Sequence, residues 1–318
     1  MISKIKFLEP GMITTIQDNG IKHKQHIGIS KGGAAIQSLI KIGNALVDNK
    51  DHWSIEFIYK GPKIKIEEGQ CIVSISGNVD FDITKNQINE KGKCFRSYLL
   101  NKNDEININH TIQSVYGYIS FGGSLKLKKI FNSLSCNPRS KIGSNEGSKI
   151  KKNDILEIEN NNNIKEYKLG IEPEIPITKT IRVLEGPQFN YFSKKSIKEF
   201  FKENYEVTNN TDKMGMRLLG KKIENIVSSN IKSEAIIKGA IQVPADGQPI
   251  ILLTDHQTIG GYPKIAVVIS ADIEILSQII PKNKIKFKKV NLKEAYVSLD
   301  IKNKIINKII NSKIKVNE

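Results

Sequence analysis

Residues Gly239 to Asp272 read GAIQVPADGQPIILLTDHQTIGGYPKIAVVISAD, and their pattern decides the fold. Ile250–Thr254 and Ile265–Ile269 are apolar and β-prone, so each predicts a buried strand. Between them stands Asp255-His256-Gln257-Thr258-Ile259-Gly260-Gly261-Tyr262-Pro263-Lys264. Loops carried on rigid strands are where sites are usually built. Gly260 and Gly261 allow backbone N–H groups to approach a ligand closely, or supply positive φ. Asp255 and His256 are acid–base candidates, and Lys264 can neutralise an anion. The same stretch also reads as a Gly-Gly turn with polar decoration. Pro244 and Pro249 set turns.

Working outward, short β-like segments dominate. Lys63–Ile66, Cys71–Ser76, Phe81–Thr84, Tyr98–Leu100, Ser114–Phe121 and Ile155–Glu159 read as strands punctuated by Gly, Asn and Asp. Ala35–Leu46 carries apolar residues at helical spacing and predicts one helix in this half. Asn160 to Asn163 form a low-complexity loop. Glu172 to Lys179 read as an extended linker, because Pro173 and Pro176 disfavour helix before them. The domain boundary is placed there: residues 1–175, then 176–295, then a basic C-terminal helix or tail over 296–318. In the second half, Ile181–Leu184, Tyr205–Val207 and Met216–Leu219 read as strands and Lys194–Glu203 as a helix. Ile301 to Ile314 shows an Ile stripe opposite lysines and predicts a helix packed on its own domain or on a partner subunit. Short strands with one helix per half indicate a mainly β protein of two barrel-like or sandwich units.

Composition bounds the function. The 318 residues suffice for two domains with real cores, and 39% of them are hydrophobic. The net charge is +16, from 49 Lys+Arg against 33 Asp+Glu, but the lysines are spread evenly through all segments. No aromatic residues interleave with them as a stacking platform requires, so nucleic acid is not expected as a partner. Cys71, Cys94 and Cys136 are odd in number and form no CxxC, which points to a reducing cytoplasm and no metal site. His23 and His26 form an HxxH without the Glu and helical setting of a metalloprotease. Gly143–Ile150 is a flexible loop without the spacing of a P-loop. The opening MISKIKFLEPGM has too short an apolar run for a signal peptide, and no run approaches the ~20 residues of a membrane span. A cytoplasmic chain without membrane contact is expected.

Five blocks together resemble one known family. They are PGMITTIQDNG (Pro10–Gly20) with HIGISKGGA (His26–Ala34), GNALVDN (Gly43–Asn49), IRVLEGPQ (Ile181–Gln188), TDKMGMRLLG (Thr211–Gly220) and the Gly239–Asp272 stretch. In this order they resemble the biotin-dependent carboxyltransferase-like family, over roughly residues 8 to 295. That family includes a subunit of bacterial ATP-dependent 5-oxoprolinase, proteins called allophanate hydrolase subunit 2, and the carboxyltransferase part of urea carboxylase. The resemblance implies two related subdomains with a cyclophilin-like β-barrel fold. It implies a heteromeric, ATP-dependent hydrolase of a cyclic amide, in which this chain acts with a B subunit to phosphorylate 5-oxoproline. A separate A subunit then completes ring opening to glutamate. The implied cofactor is ATP with Mg²⁺. No Lys with Met on both sides is present, so no biotin is expected on this chain. The alternatives are a urea or allophanate-pathway carboxyltransferase-type subunit, and a non-catalytic regulator that binds a kinase inhibitor resembling the B subunit.

A planar amide substrate needs hydrogen bonds at its N–H and C=O, and positive charge near phosphates. The chain offers groups that fit that task. Asp255, His256 and Lys264 are the catalytic candidates. Gln242, Gln248 and Gln257 can bond an amide at both ends, and Gly260, Gly261 and Tyr262 belong to the same loop. Arg217 can clamp a carboxylate or phosphate, while Asp246 or Asp212 can hold a metal bridged to nucleotide phosphates. Gln17, Asp18 and His26 stand in the opening motif and are expected to face the same cleft. Arg217 and Asp212 read equally as a structural ion pair, and Gln242 as a partner for strand ends. Three departures from the family pattern fall in the first half: Gly20-Ile21, Gly32-Gly33-Ala34 followed by Ile36, and Asn132-Ser133-Leu134-Ser135. Each removes a polar or charged group, so this half is expected to contribute less to the site, or the substrate to differ, or the chain to be a drifting, partly inactive copy.

Overall fold

The computed structural model describes residues 1–161, 165–174 and 178–316. Among the described residues strands predominate, as the sequence predicts, with four α-helices: α1 (Gln37–Leu46), α2 (Lys194–Lys202), α3 (Ile273–Ser277) and α4 (Leu292–Asn311). Two compact units are present. Met1–Ile21, Gly32–Ile175 and Lys304–Glu318 form the first; Lys22–Lys31 and Pro176–Asn303 form the second. The centre of the expected linker and Asn162 and Asn163 lie outside the described residues.

The first unit contains a seven-stranded and a five-stranded sheet. Strict alternation in Ile2–Glu9 (Ile5 and Phe7 fully buried) and in Lys63–Glu68 (Ile64 and Ile66 fully buried) makes one face of the larger sheet apolar. That face meets Ile16, Ile55, Phe57, Val73, Ile75, Ile119 and Phe121 from the smaller sheet in a single core, and Trp53 stacks on Phe121 at 5.5 Å. The opposite face of the smaller sheet is polar and equally buried. Thr15 pairs with Glu56, Glu56 with Tyr118, and Tyr118 with Ser76. Beside this row, Gln17 pairs with Ser54, Ser54 Oγ lies 2.7 Å from Ser120 Oγ, Ser120 pairs with Ser74, and Ser74 with Ser97. Helix α1 covers this face. Gly43 is needed there, because a Cβ would strike Ser120 Oγ. The helix is anchored by Glu56, which accepts from the Ala35 amide (2.8 Å) and the Tyr118 hydroxyl (2.7 Å).

In the second unit seven strands close into a barrel, in the order Thr180–Glu185, Lys264–Val268, Ala240–Gln242, Ile250–Leu252, Gly215–Leu219, Tyr205–Val207 and Lys284–Lys289. Closure is made by the parallel pairing of Lys284–Lys289 with Thr180–Glu185. Closing a sheet on itself leaves no edge strands, which suits strands as short as three residues. The interior holds Ile181, Val183, Met216, Ile241, Ile251 and Ile265, and α2 caps it through Phe200, stacked on Phe287 at 4.5 Å. Ser193 starts α2 by accepting from the Ser196 amide. Arg182 clamps the buried Asp272 carboxylate beside α3 with two side-chain N–H groups (3.0 and 2.5 Å).

The C-terminal helix differs from expectation. It begins at Leu292 rather than Ile301 and ends at Asn311. The early start has a local cause: Asn291 Oδ1 accepts from the Glu294 amide (2.9 Å), and Glu294 Oε2 accepts from the Asn291 amide (2.7 Å), a reciprocal cap. Ile314 is not helical. It lies in Lys313–Lys315, a strand paired with Tyr167–Leu169. The Ile stripe is split: Ile306 and Ile309 are buried, whereas Ile301 and Ile305 are exposed.

Candidate functional site on the signature segment

The Gly239–Asp272 segment supplies three adjacent barrel strands, Lys264–Val268, Ala240–Gln242 and Ile250–Leu252. A register irregularity between Ile241 and Gln242 changes what faces what. Ile241 opposes Ala266, but Gln242 opposes Lys264. Directly opposed residues of antiparallel strands stand side by side on one face, so the irregularity places an amide next to an amine. The chain between Ile250–Leu252 and Lys264–Val268 turns out through Asp255–Thr258 and returns as Ile259–Gly260. That short strand pairs with Glu234–Ala235, with Gly260 opposite Glu234.

Lys264 begins its strand and is 3% exposed. Its Nζ lies 2.5 Å from Glu234 Oε1 and donates to the Tyr262 carbonyl at 3.4 Å. Gln188 completes a ring. Its Oε1 accepts from the Lys264 backbone N–H (3.1 Å), and its Nε2 donates to Glu234 Oε1 (2.9 Å). Gly186 makes the approach possible, since a Cβ there would strike the Lys264 carbonyl. The hydrogen bond from Lys264, then that from Gln188, holds the Glu234 carboxyl below its usual range.

Gln242 is 2% exposed, and its Nε2 has no hydrogen-bond acceptor. A buried donor left unmade costs about 1–3 kcal/mol. The amide lies against Gly260: a Cβ at that position would sit 2.7 Å from Nε2. Gly260 therefore serves close packing over the amide. The Gly261 carbonyl accepts from the Ile231 amide at 2.8 Å, and Tyr262 is half-exposed.

Asp255 and His256 are nearly buried in the preceding turn. The Asp255 amide donates to the Lys213 carbonyl at 2.8 Å. His256 Nδ1 lies 2.6 Å from the Gln257 carbonyl oxygen. A carbonyl only accepts, so Nδ1 carries the proton and Nε2 is left as the acceptor in the neutral ring. Burial, reinforced by Lys238, pulls the imidazole below its ordinary value, so the ring is neutral at pH 7. Gln257 is exposed beside it.

The other sequence candidates are spread more widely. Gln248 gives both ends of its amide to Gly220, accepting from its N–H (2.8 Å) and donating to its carbonyl (3.2 Å). Asp212 Oδ1 accepts from the Met214 and Gly215 amides, and Asp246 Oδ1 from the Gln248 amide. Arg217 is exposed on its strand. In the first unit, Asp18 accepts from the Gly20 amide, the Leu134 amide, Ser133 Oγ and Ser135 Oγ, at 2.5 to 2.7 Å. Gln17 Nε2 donates to Thr15 Oγ1 and the Cys136 carbonyl. Gly20 and the Ser133–Ser135 run, which lie in two of the stretches that depart from the family pattern, hold the Asp18 carboxylate. His26 is exposed in a 3₁₀ turn that groups with the second unit. A groove of about 1320 Å³ within the first unit, lined by Asn44, Asp48, His52, Tyr167 and Lys313 among others, contains none of the candidates.

Among the described residues no three His, Cys, Asp or Glu side chains gather to hold a metal ion. A nucleotide-bound Mg²⁺ needs only one or two carboxylates besides the phosphates. Asp246 fits that demand, as it lines a cavity of about 310 Å³ together with Lys222. Sequence reasoning missed Gln188 and Glu234 as parts of the site. Gln188 closes the IRVLEGPQ block and was visible there; Glu234 stands in a stretch with no motif.

The profile of the carboxyltransferase domain, subdomains A and B, matches residues 27–289. A Haemophilus influenzae protein, named as the C subunit of 5-oxoprolinase, is 32% identical over 296 residues, covering 92% of this chain and 93% of that protein. The Escherichia coli protein of the same name is 28% identical with the same coverage. In structure, the Kluyveromyces lactis urea carboxylase is similar with a TM-score of 0.86 at 22% identity, over 97% of this chain and 29% of that one. This last likeness is one of fold. Among the described residues no helix is long and apolar enough to cross a membrane.

Proposed function

The chain belongs to the carboxyltransferase-domain family, subdomains A and B, and from that premise we propose that it is a subunit of an ATP-dependent 5-oxoprolinase. In this reading it works in the cytoplasm with a separate B subunit to phosphorylate the lactam, and an A subunit then finishes opening to glutamate. The names of the two bacterial relatives support the role. The observation that carries the chemistry is the buried Gln242 amide, whose Nε2 has no acceptor beside the Lys264–Glu234 pair.

In the proposed mechanism Gln242 Nε2 donates to the substrate carbonyl oxygen and holds the amide plane. Lys264, oriented by Glu234 and Gln188, stabilises negative charge developing on that oxygen. His256, neutral and protonated at Nδ1, accepts a proton at Nε2, with Asp255 beside it in the chain. The nucleotide with its Mg²⁺ supplies the phosphoryl group, and Asp246, Lys222 and the exposed Arg217 are the groups this chain offers to it. Asp18 and Gln17 support the opening motif.

The test is ATP hydrolysis by this protein mixed with its cognate B subunit, with and without 5-oxoproline. Stimulation requiring both subunits and the lactam is the expected outcome. Tight association without lactam-dependent turnover would replace this reading with a non-catalytic regulatory one. A second enzyme reading, a urea-pathway carboxyltransferase-type subunit, is favoured by the shared fold with the K. lactis enzyme. Replacing 5-oxoproline by urea in the same assay separates the two.

A further inference from the structure

We infer that α4 carries a docking stripe for a second copy of this chain, and that the two helices meet antiparallel about a two-fold axis at Ile301. The helix has two apolar stripes. Ile306 and Ile309 form the buried one, and Ile309 packs with Leu46 and Leu169. Val297, Ile301 and Ile305 form the other, at 49%, 51% and 53% exposure. Residues four apart on a helix share a face. At 3.6 residues per turn, Glu294 and Lys308 fall on that same face, and both are exposed. Away from Leu292 and Tyr296 near its start, the rest of the exposed arc is polar, with Lys293, Asp300, Asn303 and Asn307. The three apolar side chains are therefore a stripe and not part of a general apolar coat. Because α4 is one continuous helix of 20 residues, their alignment follows from helical geometry alone.

Single exposed apolar residues are normal on a protein surface. What selects a second copy as the occupant is the symmetry of the charges. Outward from Ile301 the stripe is the same in both directions: Val297 and Ile305 stand four positions away, Glu294 and Lys308 seven. The two charges have opposite signs. Antiparallel pairing sets Ile301 against itself, Val297 against Ile305 twice, and Glu294 against Lys308 at both ends. A two-fold interface demands such self-complementarity, and spacings of three and four are those of packed helix seams. Parallel pairing would instead set Glu294 on Glu294 and Lys308 on Lys308. The order of charges also suits the helix dipole, with the acid in the first turn and the base in the last. The stripe is short, about 21 Å from Glu294 to Lys308 at 1.5 Å per residue. Exposed ion pairs add little, and the net charge of +16 opposes association of two copies. The dimer is accordingly a weak one.

The experiment is sedimentation velocity of the full chain at about 0.15 M salt, where long-range repulsion is screened. Protein is varied over roughly 1–200 µM, a range that suits a small interface. The wild type is expected to show a dimer fraction that rises across the range. Ile301→Glu sets two carboxylates together on the axis and should weaken the dimer at least ~tenfold. Lys308→Glu alone sets carboxylates together at both ends, and Glu294→Lys alone sets ammonium groups together, so each should weaken it about tenfold. An equimolar mixture of these two variants restores opposite charges at both ends and should recover the wild-type dimer. Glu294 also caps α4 by accepting from the Asn291 amide, so thermal melts establish that each variant is folded. Ile301→Glu and Lys308→Glu leave the cap alone and decide the matter should Glu294→Lys not fold. The inference is overturned if the wild type is monomeric at the top of the range, if Ile301→Glu associates like wild type, or if the mixture dimerises no more than either variant by itself. A monomeric wild type that binds the B subunit, with binding lost in Ile301→Glu, would assign the stripe to that subunit instead. None of this rests on the 5-oxoprolinase reading, which the ATP hydrolysis assay tests separately.

Discussion

Glu234 Oε1 lies 2.5 Å from Lys264 Nζ, and the two partners are unequally buried: the lysine side chain is 4% exposed and the glutamate 42%. The lysine cannot leave for water, whereas the glutamate can. Losing the glutamate therefore strands a buried charge, while losing the lysine frees a carboxylate to hydrate. Glu234→Ala is expected to cost about 1–3 kcal/mol, and Lys264→Met less than half as much. Urea unfolding of both variants checks the order. Equal losses would mean that the lysine is hydrated in solution.

The same pair makes a pH prediction. Lys264 and Gln188 hold the Glu234 carboxyl below its unfolded value. Its contribution is present above the ordinary carboxylate range, near ~4.3 for glutamate, and is lost as pH falls through the depressed folded value. The stability gap between wild type and Glu234→Gln is expected to be flat at neutral pH and to shrink only in acid.

His256 behaves with the same sign in a different window. Burial lowers its folded pKa, so protonation favours the unfolded chain. Stability from the neutral ring is complete above the unfolded value, ~6.5, and declines as pH falls below it. Melting temperatures of wild type between pH 7 and pH 5 should fall, and His256→Gln should lack this component of the slope.

Gly260 is needed for the Gln242 amide to lie where it does, because a Cβ would be 2.7 Å from Nε2. Gly260→Ala is expected to destabilise by about 1–3 kcal/mol through overpacking. Adding Gln242→Ala removes the obstructing amide, so the double variant should be more stable than the sum of the single losses implies. A thermodynamic cycle measures this coupling.

Turnover tests the catalytic assignment. In the assay with the B subunit, Lys264→Ala and Asp255→Ala are expected to lower lactam-dependent ATP hydrolysis at least ~100-fold, the scale of acid–base and electrostatic contributions, with circular dichroism unchanged. Unaltered rates in both variants would remove these residues from the site.

Much of this was legible in the chain. The strands at Cys71–Ser76, Tyr205–Val207 and Ile250–Leu252 follow from β-prone apolar runs, and α1 and α2 from helical spacing. The Ile stripe alone starts the C-terminal helix too late, because its first residue is set by a cap rather than by apolar spacing. Asn291 and Glu294 form a reciprocal cap that starts α4 well before the first stripe residue. Gln248 and Gln242 look alike in sequence, yet one spends both ends of its amide on Gly220 and the other keeps a buried donor without an acceptor. Asp18 reads as a site acid and is held by four donors from two loops.

The sequence by itself determined the mainly β class, the strands on either side of the Asp255–Lys264 cluster, and the family, because these depend on residue order, local spacing and motif. Only the tertiary structure decided that Lys264 is paired with Glu234, that Gln188 braces the pair, and that Gln242 stands opposite Lys264. Those facts depend on barrel closure, on the pairing of Glu234 with Gly260, and on one irregularity after Ile241. A one-residue change of register alters which side chains meet while leaving the local pattern almost unchanged, so no reading of spacing alone could have assigned these partners.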